Sequence, residues 1–531
     1  MAFAWNGPRQ DNYDIYVKLI GADAPVRLTQ DPATDLGPAW SPDGRWIAFR
    51  RALANEKSGI ILIPAVGGVE RKLTEVSWGV AARIWRSMLS WHPSGRWLVV
   101  PDRNSTQEPL GLFLVSVETG ERRRLTSPPM GSLDGDEYPA VSPDGRAVVF
   151  TRAGGRARGG DLYLLELSEE LRGVGEPKRL TSRQRSAGDP AWWPDGNSIL
   201  FSSSASSGYA TLWQMTVRGA THQPGQPEPL PLGGAANYLM PAISRQGRLA
   251  YTQRSFSAHI RRLEMGGSRQ ATDMPMSSTR LDSYPQYSPD GKRIAFASNR
   301  SGSHEIWVCD ADGSNSVKLT AFGGPYAANP AWSPDGRRIA FATYTGGTYE
   351  IQIVSADGGK PERLSGSRGI ELSCTWSRDG KWIYFDSDRG GKVQVWKVPA
   401  GGGDPVQVTR QGGTCGLESL DGKFVYYLLA LVNEGSNTEL WRVPAEGGEE
   451  IRIVDSVCPQ LFAVAERGIY FFSGWKSPLI QRFRFATRKI ETVARVEGKI
   501  GWGISVSPED RWLLYSVLEE QSDLMMVEKF R

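Results

Sequence analysis

A four-residue turn with similar flanks recurs along this chain of 531 residues, and it restricts the possible folds more than any other feature. Residues 288–291 read Ser-Pro-Asp-Gly, in which proline fixes φ at the second position of a type I turn, aspartate suits the third and glycine closes the turn. Ile294, Ala295 and Phe296 follow as a short apolar run typical of a strand. The sequence therefore predicts a β-hairpin here and at each recurrence of the turn.

The repeat unit contains four predicted strands. After each hairpin the sequence continues with a third strand, a glycine-rich turn and, in many units, a short fourth strand that ends in Leu-Thr. Four short strands in every about 40–50 residues are typical of one blade of a β-propeller. No segment keeps an apolar period of 3.6 residues, so no long helix is predicted. The turn glycine, or the residue in its place, is found at Gly44, Gly95, Gly145, Gly196, Gly247, Gly291, Gly336, Gly380, Gly422, Gly468 and Asp510.

The spacing of these turns changes once along the chain. Successive turns lie about 50 residues apart up to Gly247 and about 44 residues apart after it, and one ring holding all of them would exceed the usual range of about 4–8 blades. The sequence therefore predicts an all-β fold of two tandem β-propellers with about six four-stranded blades each. The predicted domains are residues 1–266 and 267–531.

The two ends of the repeat array predict how each ring closes. Ala2 and Phe3 match Ala48 and Phe49, so the first propeller is predicted to be incomplete at its N-terminus, with the hairpin turn of its first blade before Met1. We expect either that the native chain begins earlier or that the first ring keeps a notch. The second propeller is predicted to be closed by a strand near residues 269–272, because such a strand would cover the open edge of the last blade.

The repeats resemble the TolB-like family of WD-like propeller repeats. The resemblance rests on SPDGRWIAF (41–49), SPDGKRIAFASNRSGSHEIWVCDADGS (288–314), SPDGRRIAFA (333–342) and SRDGKWIYF (377–385). Chains similar to this one are bacterial proteins in which such propellers follow a winged-helix DNA-binding domain or a serine/threonine kinase domain. The resemblance implies a non-enzymatic binding or sensor module for a protein, peptide or small ligand, within a larger signalling or regulatory protein.

An enzymatic alternative stays open beside this interpretation. Some similar propellers precede an α/β-hydrolase domain, which needs a Gly-x-Ser-x-Gly nucleophile elbow, and this sequence contains none. The four histidines, His92, His222, His259 and His304, belong to four different repeats, so no catalytic set or metal site is predicted from them. The alternative function is a propeller-type hydrolase or lyase, or the gating propeller of a peptidase.

Polar residues precede the first strand of several hairpins at a shared offset in the repeat. Circular repetition is expected to bring them to one rim of a central channel, where convergent carboxylates would bind a basic peptide segment, an amine or a cation. The other interpretation is that they cap loops and are solvated. The candidates are Asp35, Asp136, Glu137 and Asp189 in the first propeller, and Asp282, Asn329 and Glu371 in the second.

Charge and hydropathy exclude several classes of partner. The net charge of +4 is small for this length and gives no basis for nucleic-acid binding. The longest apolar run, residues 424–432, is far shorter than the about 20 residues that cross a bilayer, so no membrane segment is predicted in this chain. No secretory signal is recognisable. The predicted location is cytoplasmic as the sequence is written, or periplasmic if an export or membrane segment lies upstream.

The four cysteines, Cys309, Cys374, Cys415 and Cys458, show no metal-ligand spacing, and no cofactor is predicted. Cys374 and Cys415 both stand just before a repeat turn, on strands that are expected to be neighbours. A disulfide between them and two free buried thiols are both compatible with the sequence.

Overall fold

Strands and turns account for the whole described structure. The computed structural model describes residues 1–8, 11–54, 57–77, 89–129, 135–153, 160–181, 187–203, 210–218, 223–232, 236–266, 270–324, 326–345, 348–364, 371–429, 437–474, 478–528 and 530. Within these ranges there is no helix, and antiparallel strands form sheets of mostly four strands. The predicted all-β propeller fold is confirmed.

The chain divides into two compact units, and the first consists of Met1–Ala205, Tyr209–Arg254 and Ser522–Arg531. Its blades have the sheet orders β1-β2-β3, β4-β5-β6-β7, β11-β10-β9-β8, β12-β13-β14-β15 and β16-β17-β18-β19, with β20 also on β18, and β21 starts a sixth. The strands are β1 (Ala2–Trp5), β2 (Asp14–Val17), β3 (Val26–Arg27), β4 (Asp35–Trp40), β5 (Trp46–Ala52), β6 (Lys57–Pro64), β7 (Arg71–Ser77), β8 (Ser90–Trp91), β9 (Trp97–Asp102), β10 (Gly111–Ser116), β11 (Arg122–Arg124), β12 (Asp136–Val141), β13 (Ala147–Ala153), β14 (Gly160–Leu167), β15 (Gly173–Arg179), β16 (Ala187–Trp192), β17 (Ser198–Ser203), β18 (Thr211–Arg218), β19 (Gln223–Pro224), β20 (Glu228–Pro229), β21 (Asn237–Ile243) and β22 (Leu249–Glu264).

The second unit consists mainly of Ser255–Gln521. Five of its blades run in simple sequence order, from β24-β25-β26-β27 to β40-β41-β42-β43. The strands are β23 (Ala271–Asp273), β24 (Asp282–Tyr287), β25 (Arg293–Ser298), β26 (Glu305–Asp310), β27 (Val317–Lys318), β28 (Tyr326–Trp332), β29 (Arg338–Thr345), β30 (Thr348–Ser355), β31 (Glu362–Arg363), β32 (Glu371–Trp376), β33 (Trp382–Ser387), β34 (Gln394–Pro399), β35 (Val406–Gln407), β36 (Thr414–Glu418), β37 (Phe424–Leu428), β38 (Thr438–Pro444), β39 (Ile451–Val457), β40 (Phe462–Ala465), β41 (Gly468–Ser473), β42 (Leu479–Arg484), β43 (Ile490–Arg495), β44 (Lys499–Val506) and β45 (Trp512–Val527).

Two strands of 16 residues, β22 and β45, each contribute to both units. The second unit is completed by a blade of β44, the first part of β45, the second part of β22, and β23. In the first unit, the segment that follows β45 brings Phe530 onto Trp193, with ring centroids 5.4 Å apart, and the Phe530 amide donates to the carbonyl of Gly247 at 3.0 Å. The units therefore divide at Arg254 and Gln521, whereas the sequence suggested a single division after residue 266.

The residues of the recurring turn make the hydrogen bonds that hold each hairpin. The hydroxyl of Ser288 donates to Oδ1 of Asp290 at 2.6 Å, and the amide of Gly291 donates to the Ser288 carbonyl at 2.9 Å. Gly291 has φ 70°, which an L side chain would strain. The Ser288 hydroxyl holds the pKa of Asp290 below its usual value. The Ser-Pro-Asp-Gly aspartates are thus turn residues.

The core lies between successive blades. Apolar residues of the second and third strands of one blade pack on the first and second strands of the next, as Ala295 and Ile306 do with Trp332 and Phe341. A phenylalanine at the centre of the second strand is completely buried in several blades, including Phe49, Phe150, Phe296, Phe341 and Phe385. Burial of apolar surface between blades therefore drives the stacking of the sheets.

Candidate functional site

The first strand of most blades contains a bulge that changes the register of the hairpin. In β24 the pairing with β25 shifts between Ser283 and Gln286, and Tyr284 lies inside the shift with φ 52°. In β28 the shift encloses Asn329, with φ 55°. A bulge leaves one residue out of the ladder and redirects its side chain. Each such strand therefore presents one residue that the sheet itself does not use.

In the second unit these residues surround a cavity of about 100 Å³. The cavity is lined by residues from the first strand, or from the residues just before it, in all six blades, which places it at the centre of the unit. One residue with positive φ comes from each blade, and together they form what we call the bulge ring: Tyr284, Asn329, Ser373, Cys415, Gln460 and Gly503.

The surface of this cavity is neutral. Amide, hydroxyl and thiol groups alternate with apolar side chains such as Pro285 and Phe462, and none of the described lining residues carries a charge. Such a surface donates and accepts hydrogen bonds without attracting an ion. Gly503 allows a close approach between two blades at the ring, because a Cβ added there would lie 2.5 Å from the Cα of Tyr284.

A buried carboxyl group lies directly behind the bulge ring. Asp386 accepts hydrogen bonds from the Cys415 amide at 2.7 Å and from the Thr414 hydroxyl. Burial raises the pKa of Asp386 to about 7, although these hydrogen bonds and one with Ser373 act in the opposite direction. This group can therefore gain or lose a proton near neutral pH, next to two residues of the ring.

The two thiols that line the cavity are not in a disulfide and are poorly reactive. Cys374 and Cys415 are both buried, and neither forms a disulfide, which resolves the alternative that the sequence left open. The Sγ of Cys415 lies 3.6 Å from the Ser373 hydroxyl. Burial raises the pKa of the Cys415 thiol to about 12 and that of Cys374 further, so both remain uncharged at neutral pH.

Four of the predicted rim residues form ion pairs inside their blades. Each is the first residue of its strand, is completely buried, and binds an arginine at or just after the end of the neighbouring strand. The pairs are Asp35 with Arg51 at 2.7 Å, Asp136 with Arg152 at 2.6 Å, Asp282 with Arg300 at 2.7 Å, and Glu371 with Arg389 at 2.5 Å. In each pair the guanidinium also lies over a phenylalanine ring of the second strand, at 5.0–5.5 Å from its centroid.

The remaining candidates have different surroundings. Glu137 is buried beside Asp136. Asp189 is a bulge residue of the first unit with φ 51°, and it accepts a hydrogen bond from the Ser202 hydroxyl at 2.9 Å. Asn329 lines the cavity of the second unit. The structure thus brings Asn329 into a ring with other residues, while the four paired carboxylates are each held within a separate blade.

The sequence offered a signal for the bulge ring that the search for charged residues missed. The ring residue stands two positions after the strand-initial acid, as Tyr284 follows Asp282 and Ser373 follows Glu371. In two blades it directly precedes a proline, Pro285 or Pro330. Asn329 was selected at this offset, but the other ring residues, such as Tyr284 and Ser373, carry no charge and gave no chemical reason to select them.

No metal site is found within the described ranges, where no three side chains of the ligating types converge. His92 contacts the Ser94 hydroxyl at 2.8 Å, His259 lies 3.4 Å from Glu519, and His304 packs on Tyr326, while His222 lies outside the described residues. Burial lowers the pKa of His304 to about 4. As for membranes, the part of the chain that the structure describes holds no helix able to cross one.

Comparison with known proteins finds one matching family model and several similar proteins. The family model described as "TolB beta propeller domain" matches residues 158–328 and 324–458. The uncharacterized peptidase YuxL of Bacillus subtilis is 31% identical over 192 residues, which are 36% of this chain and 25% of that protein. The uncharacterized protein Atu1656 of Agrobacterium fabrum is 29% identical over 277 residues, 50% of this chain and 85% of that protein.

A solved structure of a putative TolB from Agrobacterium tumefaciens is 17% identical, with a TM-score of 0.29, and the match covers 65% of this chain and 94% of that one. The match to YuxL spans only a quarter of that peptidase.

Proposed function

Because the chain belongs to the family of TolB β-propeller domains, we propose that it is a non-enzymatic binding module whose second unit holds a peptide segment of a partner protein, or a small ligand, in its central cavity. The observation that carries this proposal is the bulge ring, in which every blade of the unit contributes one residue to a single cavity of about 100 Å³. A concave site with a few convergent polar groups between apolar walls is the usual form of a binding pocket.

The lining favours a neutral, hydrogen-bonding group as the part of the ligand that enters. Asn329 and Gln460 offer amides, Ser373 offers a hydroxyl, and Phe462 and Pro285 offer apolar contact. The cavity has room for the end of one side chain or a few water molecules. A basic segment or a cation, which the rim carboxylates suggested, is less well matched, because Asp282 and Glu371 are already neutralised by arginines.

Peptide selection tests this function. A phage-displayed library of random peptides would be selected on the immobilised chain, and the selected peptides would be synthesised and titrated singly. The isosteric variants Asn329→Asp and Gln460→Glu place a carboxylate in the neutral cavity at half-buried positions. We expect each to weaken binding at least about tenfold, because a neutral ligand would take the new charge out of water without pairing it.

Gln407→Glu is the matched control, since it makes the same amide-to-acid change on an exposed strand of the same unit. It should leave binding unchanged. Peptides that bind all four proteins equally would show that the ring is not the site.

A second candidate function follows from the relative that is named a peptidase. On this alternative, the chain would act as a propeller-type hydrolase or as the propeller that controls access to a peptidase active site. A panel of fluorogenic peptide substrates distinguishes the two. The binding-module proposal predicts no turnover by the purified chain, whereas turnover that co-elutes with the chain in gel filtration and is lost on unfolding would contradict it.

A further inference from the structure

One acid of the second unit is buried at a position where the other five blades have a neutral residue. Asp386 directly follows the buried Phe385 in β33. The residues at this position of the other blades are Ala297, Ala342, Leu428, Phe472 and Ser516, all of them buried. Burial of a carboxyl group is costly, and five blades of the same unit fold without one. Packing of the sheet therefore does not account for this acid.

The hydrogen bonds of Asp386 connect it to the cavity. Its Oδ1 accepts from the Cys415 amide at 2.7 Å, and its Oδ2 accepts from the Thr414 hydroxyl. The third bond comes from the Ser373 hydroxyl. Ser373 and Cys415 belong to the bulge ring, whereas Thr414 is not among the described lining residues. The carboxyl group is thus one hydrogen bond away from a hydroxyl that a ligand in the cavity would contact.

The hydroxyl of Ser373 is shared between the acid and the cavity. A hydroxyl has one hydrogen to donate and two lone pairs that accept. The Cys415 Sγ lies 3.6 Å from the Ser373 Oγ, in position for the thiol to donate to one lone pair. While Asp386 is ionised, it accepts the hydrogen of Ser373, so the hydroxyl can offer a ligand only a lone pair.

A proton on Asp386 reverses its hydrogen bond with Ser373. The protonated carboxyl group has a hydrogen of its own, which it can donate to the Ser373 oxygen. The Ser373 hydrogen is then released, and it can turn to the cavity, since Asp386 and Cys415 now both donate to the oxygen. Protonation of the buried acid therefore converts one position of the cavity surface from an acceptor to a donor.

This proton exchanges near neutral pH. Burial raises the pKa of Asp386 to about 7, and among the described residues no charged side chain contributes to the shift. The titratable groups that face it are the thiols of Cys374 on β32 and Cys415 on β36. Burial and the charge of Asp386 raise the pKa of both thiols, which stay neutral. On β34 the residue opposite Asp386 is the apolar Val395.

The other charged groups of the strands packed against β33 have partners of their own. They are Glu371, Glu418 and Lys397, which bind Arg389, the Tyr384 hydroxyl and the Ala445 carbonyl, respectively. Asp386 is therefore the group of this cluster whose charge changes between pH 6 and pH 8.

We propose that Asp386 is a positioning residue that couples ligand binding in this cavity to the uptake of one proton, and that the group bound there is a hydrogen-bond acceptor such as an amide carbonyl. The inference rests on the proposed function of the second unit, and it adds the polarity of the ligand and the pH dependence of its binding. When Asp386 is protonated, Ser373 donates to the ligand carbonyl. When Asp386 is ionised, that donor is lost, and the ligand oxygen meets a lone pair instead.

The expected pH dependence has a defined size. When only the protonated protein binds, the apparent affinity is proportional to the protonated fraction. With a pKa of about 7, this fraction is about 0.9 at pH 6 and about 0.1 at pH 8. The dissociation constant should therefore rise about tenfold between these two pH values.

The experiment uses the full chain and a synthetic peptide from the phage selection, repeated at pH 6. The peptide is chosen because Asn329→Asp weakens its binding, which assigns it to the bulge ring. It has a blocked N-terminus and contains no histidine or cysteine, so its own charge stays constant between pH 6 and pH 8. Fluorescence anisotropy titrations across this range should show the tenfold rise of the dissociation constant.

Two variants separate the coupling from a purely structural role. Asp386→Asn cannot ionise, and its amide donates as the protonated acid does, so it should bind at every pH with the affinity that the wild type has at pH 6. Ser373→Ala should bind about five- to tenfold more weakly at pH 6, because one hydrogen bond is lost, and its affinity should no longer depend on pH. A structural role of Asp386 would instead lower the affinity of Asp386→Asn equally at all pH values.

Asp357→Asn is the matched control. It makes the same acid-to-amide change at a largely exposed side chain of the same unit, and it should keep the pH profile of the wild type.

The coupling also predicts an effect of the peptide on the acid. Because coupling between two ligands is reciprocal, a peptide that prefers the protonated protein must raise the pKa of Asp386. The carboxyl ¹³C signal of Asp386, assigned by its absence from Asp386→Asn, should titrate near pH 7 in the free chain. With saturating peptide, its midpoint should lie at least about one pH unit higher.

The outcomes distinguish this inference from the proposed function. An Asn329-dependent peptide that binds equally at pH 6 and pH 8, or a pH dependence that survives in Asp386→Asn, would overturn the inference and leave the proposed function standing. A wild-type pH profile in Ser373→Ala would overturn the role of its hydroxyl and with it the proposed coupling. If no selected peptide depends on Asn329, the proposed function fails, and the inference fails with it.

Discussion

The first strands of the two units share a bulge but differ in the side chains that the bulge presents. In the second unit the residues with positive φ are neutral and form the bulge ring. In the first unit the corresponding described residues are Gly37, Tyr138, Asp189 and Met240. The two units therefore share the bulged backbone of the first strand and differ in the side chain at the bulge. If the units bind different ligands, we expect the difference to depend on these positions.

One buried titratable position in the second strand also differs between the two units. Arg50 and Asp386 both follow the buried phenylalanine of a second strand, Phe49 or Phe385. Burial lowers the pKa of Arg50 to about 10 and raises the pKa of Asp386 to about 7. One position of the blade thus holds a base in the first unit and a titratable acid in the second.

Both units have ion pairs at the start of their first strands, and we expect the loss of one pair to lower the free energy of unfolding more than the other substitutions do. Asp136→Ala in the first unit and Asp282→Ala in the second should each lower the free energy of unfolding of their unit by about 3–5 kcal/mol, because Arg152 or Arg300 is largely buried and loses its carboxylate partner. Urea denaturation followed by hydrogen exchange would assign the loss to a unit.

Asp357→Ala is the control for these variants, since its pair with Arg293 is largely exposed and should contribute less than about 1 kcal/mol. If only one of the two variants loses stability, the ion pair does not have the same stabilising role in both units.

Gly503→Ala tests the packing of the bulge ring itself. The new Cβ would lie 2.5 Å from the Cα of Tyr284, and φ of 91° adds strain, so we expect about 2–4 kcal/mol of destabilisation in the second unit. Gly358→Ala separates the two causes, because Gly358 has φ 97° with nothing within 4 Å of an added Cβ. Equal thermal shifts for the two variants would mean that the ring tolerates the methyl group.

The pH dependence of stability should differ between the units because of Asp386. Its pKa is raised on folding from 3.8 to about 7, so the folded unit retains a proton that the unfolded chain releases. The contribution of Asp386 to the stability of the second unit should be greatest below about pH 4 and fall, by on the order of 4 kcal/mol, as the pH rises to about 7.

Asp386→Asn cannot ionise and should remove most of this slope, which urea denaturation at several pH values would measure. If the wild-type slope persists in the variant, the hydrogen bonds from Thr414 and Cys415 keep the carboxylate ionised and the direction inferred for its pKa is wrong.

Sequence reasoning recovered the parts of the fold that local chemistry encodes. The hairpins were predictable because Ser288, Asp290 and Gly291 each satisfy a stated requirement of the turn. The division of β22 and β45 between the units was not, because a strand of 16 residues carries no mark of where its partner changes.

The candidate site was predictable only in part for a similar reason. Asn329 was selected as a polar residue at the repeat offset and lies in the ring. Ser373 and Cys415 were not selected, because neither residue type signals a left-handed backbone, with φ of 51° and 56°. The carboxylates drew attention by their charge, yet strand pairing within one hairpin places four of them beside arginines, a partnership that the repeat offset alone did not reveal.

The most direct test of the central claim is a crystal structure of the chain with a selected peptide. The account predicts density for a neutral side chain of the peptide inside the second unit, within hydrogen-bonding distance of Asn329 and Gln460. A peptide bound elsewhere, with the bulge ring empty, would contradict it.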